Sequence, residues 1–195
     1  GTTAINSVFT SPVPPAVLIA PPVPVFVQCG DMYTDPRDGR AYPTVLIGNQ
    51  CWMGQNLNTG VLLTAGQTFS DNDTIEKRCF NDDSLLCAQS GGLYQWDEMM
   101  AYAQDEQSRG ICPPDWRLPT DADWYALEHF VDPVIADPLL FGWRGMIAGM
   151  HLQLPGMFHA MLGGQADANG VFDGLMLYGK YWSTSRNAAG KAIIR

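Results

Sequence analysis

The sequence predicts an α+β domain, two helices against a small twisted antiparallel sheet, carried behind an extended proline-rich arm. Three observations predict it. Apolar side chains return at helical spacing in two places, a run bounded by turn residues reads as a strand before them, and the last third is rich in glycine and aromatics with no helical period.

The arm comes first, over residues 1–24. It is apolar, carries no charged side chain, and is interrupted by prolines at positions 12, 14, 15, 21, 22 and 24. Each proline fixes φ and removes a backbone donor, so the arm runs as polyproline II or as short edge-type strand. Val8, Phe9, Val13, Val17, Leu18, Ile19 and Val23 are too apolar to stay in water, since burial of such a side chain is worth roughly 1.5–3 kcal/mol. An extended apolar arm therefore wants a groove. Alternation puts Val17 and Ile19 on one face of the proline-free piece 16–20, and Ala16, Leu18 and Ala20 on the other.

The domain is expected over residues 25–195, with 25–28 as its first strand. Residues 35–40, Asp-Pro-Arg-Asp-Gly-Arg, form a turn, and Ala41 to Gly48 reads as a strand ended by Gly48-Asn49. A second short strand follows from Gln50 to Gly54. Residues 60–92 read as loop, with the clusters Asp71-Asn72-Asp73 and Asn81-Asp82-Asp83. Leu93, Trp96, Met99, Met100 and Ala103 predict an amphipathic helix to about Gln104, with Asp97 and Glu98 outward. A second helix starts at Thr120 as cap with Asp121 and Asp123 in its first turn, and lays Trp124, Leu127 and Val131 on one face. From Phe141 onward short strands and turns are expected.

Composition narrows the function. A formal charge of −9 argues against nucleic acid and anionic lipid, which need clustered Lys and Arg. No uninterrupted apolar run reaches the length that spans a bilayer, and the arm lacks the basic start of a secretory signal. Five cysteines point to an exported, disulfide-bearing domain. Spacing favours Cys29 with Cys51 and Cys79 with Cys87, and leaves Cys112 unpaired. No Cys-x-x-Cys spacing suggests zinc. His129, His151 and His159 are scattered, with no catalytic motif around them, so the chain is read as a non-enzyme.

Four blocks carry a family likeness. They are Asp35 to Leu57, with Gly48, Gln50, Cys51, Trp52, Met53 and Asn56 in fixed spacing; Gly91-Gly-Leu-Tyr-Gln-Trp96; Gly110-Ile-Cys-Pro113 running on to Trp116-Arg-Leu-Pro-Thr-Asp-Ala-Asp-Trp124; and Gly179 to Thr184. In order and spacing they resemble the Fibrobacter succinogenes major paralogous domain family, over roughly Cys29 to Arg195. The resemblance implies a C-type-lectin-like fold, an exported bacterial protein at the cell surface, and no defined enzymatic chemistry. It also implies strands after the block that contains Ala192-Ile-Ile-Arg195, the last carrying a cysteine that would pair with Cys112.

A sheet without its last strand leaves an edge of unpaired N–H and C=O groups. The arm is the expected cover. Inserted into a neighbouring copy it gives a head-to-tail extracellular filament, pilus-like in build, with other copies of the chain as partners. Residues 7–20 extended reach roughly 45 Å, and Pro21-Pro22 with Pro24 serve as a stiff spacer. The alternatives are an arm that caps its own domain, within a surface adhesin or glycan-binding module, and a simple linker. No cofactor is expected. Calcium is the one candidate, on Asp71, Asp73, Asp82 and Asp83, but the sugar-binding triplets of lectins are absent and such clusters are mostly turn formers. The tryptophans are read as core.

Overall fold

The computed structural model describes residue 26 and residues 28–135, 137–139, 142 and 144–195. The arm residues Val8, Phe9, Val13, Val17, Leu18, Ile19 and Val23 lie outside these. Of the expected strand 25–28 only Phe26 and Gln28 are described, and neither is in a strand. Instead the first strand is β1, Met32–Thr34.

β1 pairs antiparallel with β2, Ala41–Ile47, and β2 with β3, Gln50–Met53, in the order β1-β2-β3. The turn between β2 and β3 begins at Gly48, whose φ of 61° suits a residue without a Cβ. Alternation along β2 buries Tyr42 and Thr44 on one face, and Ile47 closes the strand against the core. Residues 35–40 make the expected turn. The Asp35 carboxylate, fully buried, is gripped by Arg37, whose guanidinium also donates to the Ile111 carbonyl at 2.8 Å. This ties the turn to the segment around Cys112.

The region expected to be loop is more ordered than its composition suggests. It holds β4, Val61–Leu62, and β5, Glu76–Lys77, paired in parallel, then a 3-10 turn at Phe80–Asp82 and helix α1, Ser84–Ser90. Asp83 caps α1 by accepting from the Leu85 amide at 2.8 Å, so a residue that resembles a turn former is a helix start. The Cys79–Cys87 disulfide staples α1 to that turn, and Cys29–Cys51 joins the entry of the domain to β3. These are the two pairings that spacing favours. Lys77 is buried, its ammonium held by the main-chain and side-chain oxygens of Asn58 at 2.7 and 2.5 Å.

The expected helix from Leu93 to Gln104 shrinks to α2, Trp96–Met99. Leu93 bonds instead to Arg78, both amides donating at 2.9 Å, and positive φ at Ala101 and Tyr102 ends the helical turn. Trp96, Met99 and Met100 are core as the spacing implied, but served by irregular backbone. Glu98 is inward rather than outward. It is 3 % exposed, accepts from the Glu76 amide and the Tyr102 hydroxyl, and burial raises its pKa.

Helix α3, Asp121–Val131, matches its expected start and face. Thr120 and Asp123 form a reciprocal capping box, and Trp124, Leu127 and Val131 are buried. A fourth helix, α4, Ala148–Leu152, has no counterpart in the sequence reading. At five residues it is too short for a period to show, and it begins where Asp132 accepts from the Met146 and Ile147 amides at 2.7 and 2.9 Å. Two antiparallel pairs close the chain, β6 (Gly163–Ala166) with β7 (Phe172–Leu175), and β8 (Trp182–Arg186) with β9 (Ala192–Ile194). The described residues thus mix four helices with several short sheets, where two helices and one sheet were expected. Short strands cannot share one ladder when glycine and proline break them every few residues.

The main core joins Ile47 and Trp52 of the first sheet to Trp124, Leu127 and Val131 of α3 and to Leu152 and Phe158. Leu127→Ala is expected to lower unfolding free energy by about 2–5 kcal/mol, and Phe130→Ala, exposed on the same helix, by under about 0.5 kcal/mol. Urea denaturation of both variants checks this; equal losses would place the wrong face of α3 inward.

Candidate functional site

Two clefts, of about 720 and 540 Å³, share Met53, Leu57, Cys112, Leu118, Tyr181 and Trp182 in their walls. They adjoin through these shared walls and are described together as a groove, with each cleft as one end. Its roomier end is lined by Met99, Ile111 and Ile194, with Arg78, Gln165 and Lys180 as polar margin. Its other end is aromatic, built from Phe26, Trp52, Trp116, Trp124 and Phe158.

Strand edges border the groove. β3 supplies Gln50, Trp52 and Met53 and pairs only with β2, while β9 supplies Ile194 and pairs only with β8, among the described residues. Each is an edge strand, with hydrogen-bonding groups directed away from its partner. Ile194 is 42 % exposed, a large apolar side chain facing a cleft.

Indole N–H groups distinguish the two ends. Trp96 donates to the Ser183 carbonyl at 2.9 Å, Trp124 to Trp182 at 3.1 Å, and Trp182 to Tyr94 at 2.8 Å. Trp52 and Trp116 donate to nothing among the described residues, although both Nε1 atoms are buried. Both belong to the aromatic end. A buried indole N–H usually finds a partner, and lacking one costs about 1–3 kcal/mol. The expectation that the tryptophans are core holds for Trp52, Trp96 and Trp124; Trp116 and Trp182 are half-buried.

Phe26 marks where the arm meets the body. Its ring packs 5.7 Å from Tyr33 and 5.9 Å from Trp116, at the aromatic end. Cys112, the free cysteine, lines both ends. Burial pushes its thiol up to about 12, outweighing Arg37, Arg109 and Arg117, so at neutral pH it is a thiol and a poor nucleophile.

Asp123 forms part of the aromatic wall and braces it. Gln50 of β3 donates to one of its oxygens at 3.1 Å, and Arg117 and Thr120 donate to the pair. Burial raises its pKa, but the Arg117 and Thr120 hydrogen bonds outweigh that and hold it down at about 2.

The four calcium candidates are not gathered. Asp83 caps α1, Asp82 accepts from the Ala65 amide, Asp73 sits at a positive φ, and Asp71 is exposed in the same loop. Among the described residues no three His, Cys, Asp or Glu side chains are placed to hold a metal ion. The groove itself is drawn from positions 26 to 194, and no spacing in the sequence announces it.

Residues 45–195 match the family model described as Fibrobacter succinogenes major domain. No curated protein and no solved structure matches the chain. No helix among the described residues is long and apolar enough to cross a membrane, and the two disulfides fit an exported protein.

The Asp123 brace predicts a pH dependence. Its folded-state pKa lies below the usual value near 3.9, so its stabilisation is full above about pH 4 and is lost as pH falls toward 2. In urea unfolding the native chain should lose about 2 kcal/mol more than Asp123→Asn between pH 4 and pH 2. Parallel acid limbs for the two proteins would contradict the brace.

Proposed function

The chain belongs to the Fibrobacter succinogenes major domain family, and from that and the groove we propose an extracellular structural subunit that assembles head-to-tail. Its N-terminal arm fills the groove of a neighbouring copy. The scaffold is read as C-type-lectin-like, and the assembly as a pilus-like surface filament of a bacterium.

The observation that supports this most is the groove, an apolar slot bordered by two strand edges that no described element covers. An occupant of such a slot is extended, apolar and uncharged. Before Asp31 the chain has no charged side chain, and Val17, Leu18 and Ile19 form its most apolar run. Adding a strand at an open edge gives affinity through main-chain hydrogen bonds and specificity through alternate side chains.

Stiffness favours a neighbour over the arm's own domain. Phe26 packs at the aromatic end, and only residues 21–25 separate it from the apolar piece 16–20. Three of those five are prolines with φ fixed, and residues before a proline are held extended. Such a stiff spacer is read as favouring an arm that leaves its own domain over one that folds back. An arm lent to the groove of the next copy is a head-to-tail contact, which propagates as a filament where it does not close on itself.

The runner-up is a glycan-binding module or adhesin with a self-capping arm. Gln55, exposed in the cleft that holds Trp116, favours it, since an amide beside aromatic rings suits sugar hydroxyls and faces.

Full-length protein should form filaments in negative-stain images, and protein lacking residues 1–20 should sediment as monomer. Filaments from the shortened protein would overturn the proposal. Cys112 supplies an independent readout, because a filled groove covers it: its alkylation by a small maleimide should be at least about tenfold slower in filaments than in the shortened protein. Sugar-dependent quenching of tryptophan fluorescence in the shortened protein, with no effect of the deletion on assembly, would favour the runner-up.

A further inference from the structure

We propose that Lys77 and Asn58 join covalently, the Lys77 Nζ forming an amide with the Asn58 Cγ and releasing ammonia, so that the domain carries an internal isopeptide cross-link. The bond is independent of whatever fills the groove.

The burial of this pair carries it. Lys77 is 8 % and Asn58 5 % exposed, and no ion pair among the described residues includes the lysine. Its ammonium bonds instead to one residue twice, to the Asn58 main-chain oxygen at 2.7 Å and to Oδ1 at 2.5 Å. A charge buried without a counter-ion is costly, which drives an amine toward its neutral form. Burial lowers the Lys77 pKa, Arg40 pushes the same way, and Asp38 opposes both. Loss of one proton leaves two N–H groups, matching the two Asn58 oxygens, and a lone pair free to attack.

Asn58 is held in place for that attack. Its side-chain nitrogen donates to the Cys87 carbonyl at 2.8 Å and its main-chain amide to the Tyr42 hydroxyl at 3.1 Å. Leu62, shortly after it, is in register with Lys77 in the β4–β5 pair, and Cys87 is tied to Cys79 just beyond Lys77. Oδ1 is bonded directly to Cγ, so its contact with Nζ brings the reacting atoms close before any movement. Reactants fixed in this way behave as if at very high concentration.

The step balances without an added reagent. Lys77 first gives one proton to solvent. Nζ then forms its bond to Cγ, the Cγ–Nδ2 bond breaks, and a proton passes from Nζ to Nδ2, which leaves as ammonia. The buried charge is gone, and dilution of the ammonia into water prevents the reverse reaction. The product closes residues 58–77 into a ring around β4 and the loop before β5. Beside the Cys79–Cys87 disulfide, it is the link that withstands reducing agents.

Mass spectrometry of the intact, disulfide-reduced full chain tests the bond. The native chain should weigh one ammonia, about 17 Da, less than its sequence, and a digest should yield a branched peptide joining residues 58 and 77. Lys77→Arg keeps the positive charge but offers no nucleophile, because the guanidinium stays protonated, so that variant should show the full sequence mass. If the variant does not fold, the native chain alone decides. Recovery of residues 58 and 77 in separate, unmodified peptides would overturn the cross-link, and so would an ammonia loss traced to another site, such as Asn169 before Gly170.

Discussion

The indole of Trp124 sits where four separate pieces of chain meet. Its ring lies 5.1 Å from Trp52 of β3, 5.6 Å from Phe158 and 5.5 Å from Tyr181, and its N–H reaches the carbonyl of Trp182 on β8. Aromatic side chains bury more area than any others, and this cluster joins helix α3 to two sheets that share no ladder. Where hydrogen-bonded sheets are this small, side-chain packing has to hold them together. The same rings are both core and groove wall, so the groove is rigid because the domain is folded.

A second constraint sets how far apart the walls stand. Asp121, at the start of α3, is paired with Arg144 at 3.3 Å and with Arg195 at 2.5 Å, and Glu128 one helical face along is paired with Arg144 at 2.6 Å. Arg144 and Arg195 are almost wholly buried. Charges taken out of water hold only when their partners stay, so the network fixes α3 against the segment after β9 rather than adding much net stability. Because Arg195 also exchanges main-chain bonds with Tyr181, the β8–β9 pair is held in place. Among the described residues no further strand pairs with β8 or β9.

Much of the fold was legible in the sequence, and the reasons are local. Helix α3 announces itself because Thr120, Asp121 and Asp123 form a start signal read within four residues. β2 and β3 are legible because glycine and asparagine mark their turn. Helix α1 was hidden because Asp82, Asp83 and Ser84 serve equally as turn, cation ligand or cap, and only tertiary structure chooses. α2 and α4 are single turns whose positions depend on distant partners, such as Asp132 for α4. The groove was inferred only as a need of the arm. Its walls come from residues far apart in sequence, and two unsatisfied indole donors leave no trace in a sequence that shows six tryptophans alike.

An electron cryomicroscopy reconstruction of the assembled material tests the central claim most directly. It should show density for residues 7–20 inside the groove bordered by β3 and β9, continuous with residue 26 of an adjacent copy. An empty groove, or density traced back to residue 26 of the same copy, would contradict it.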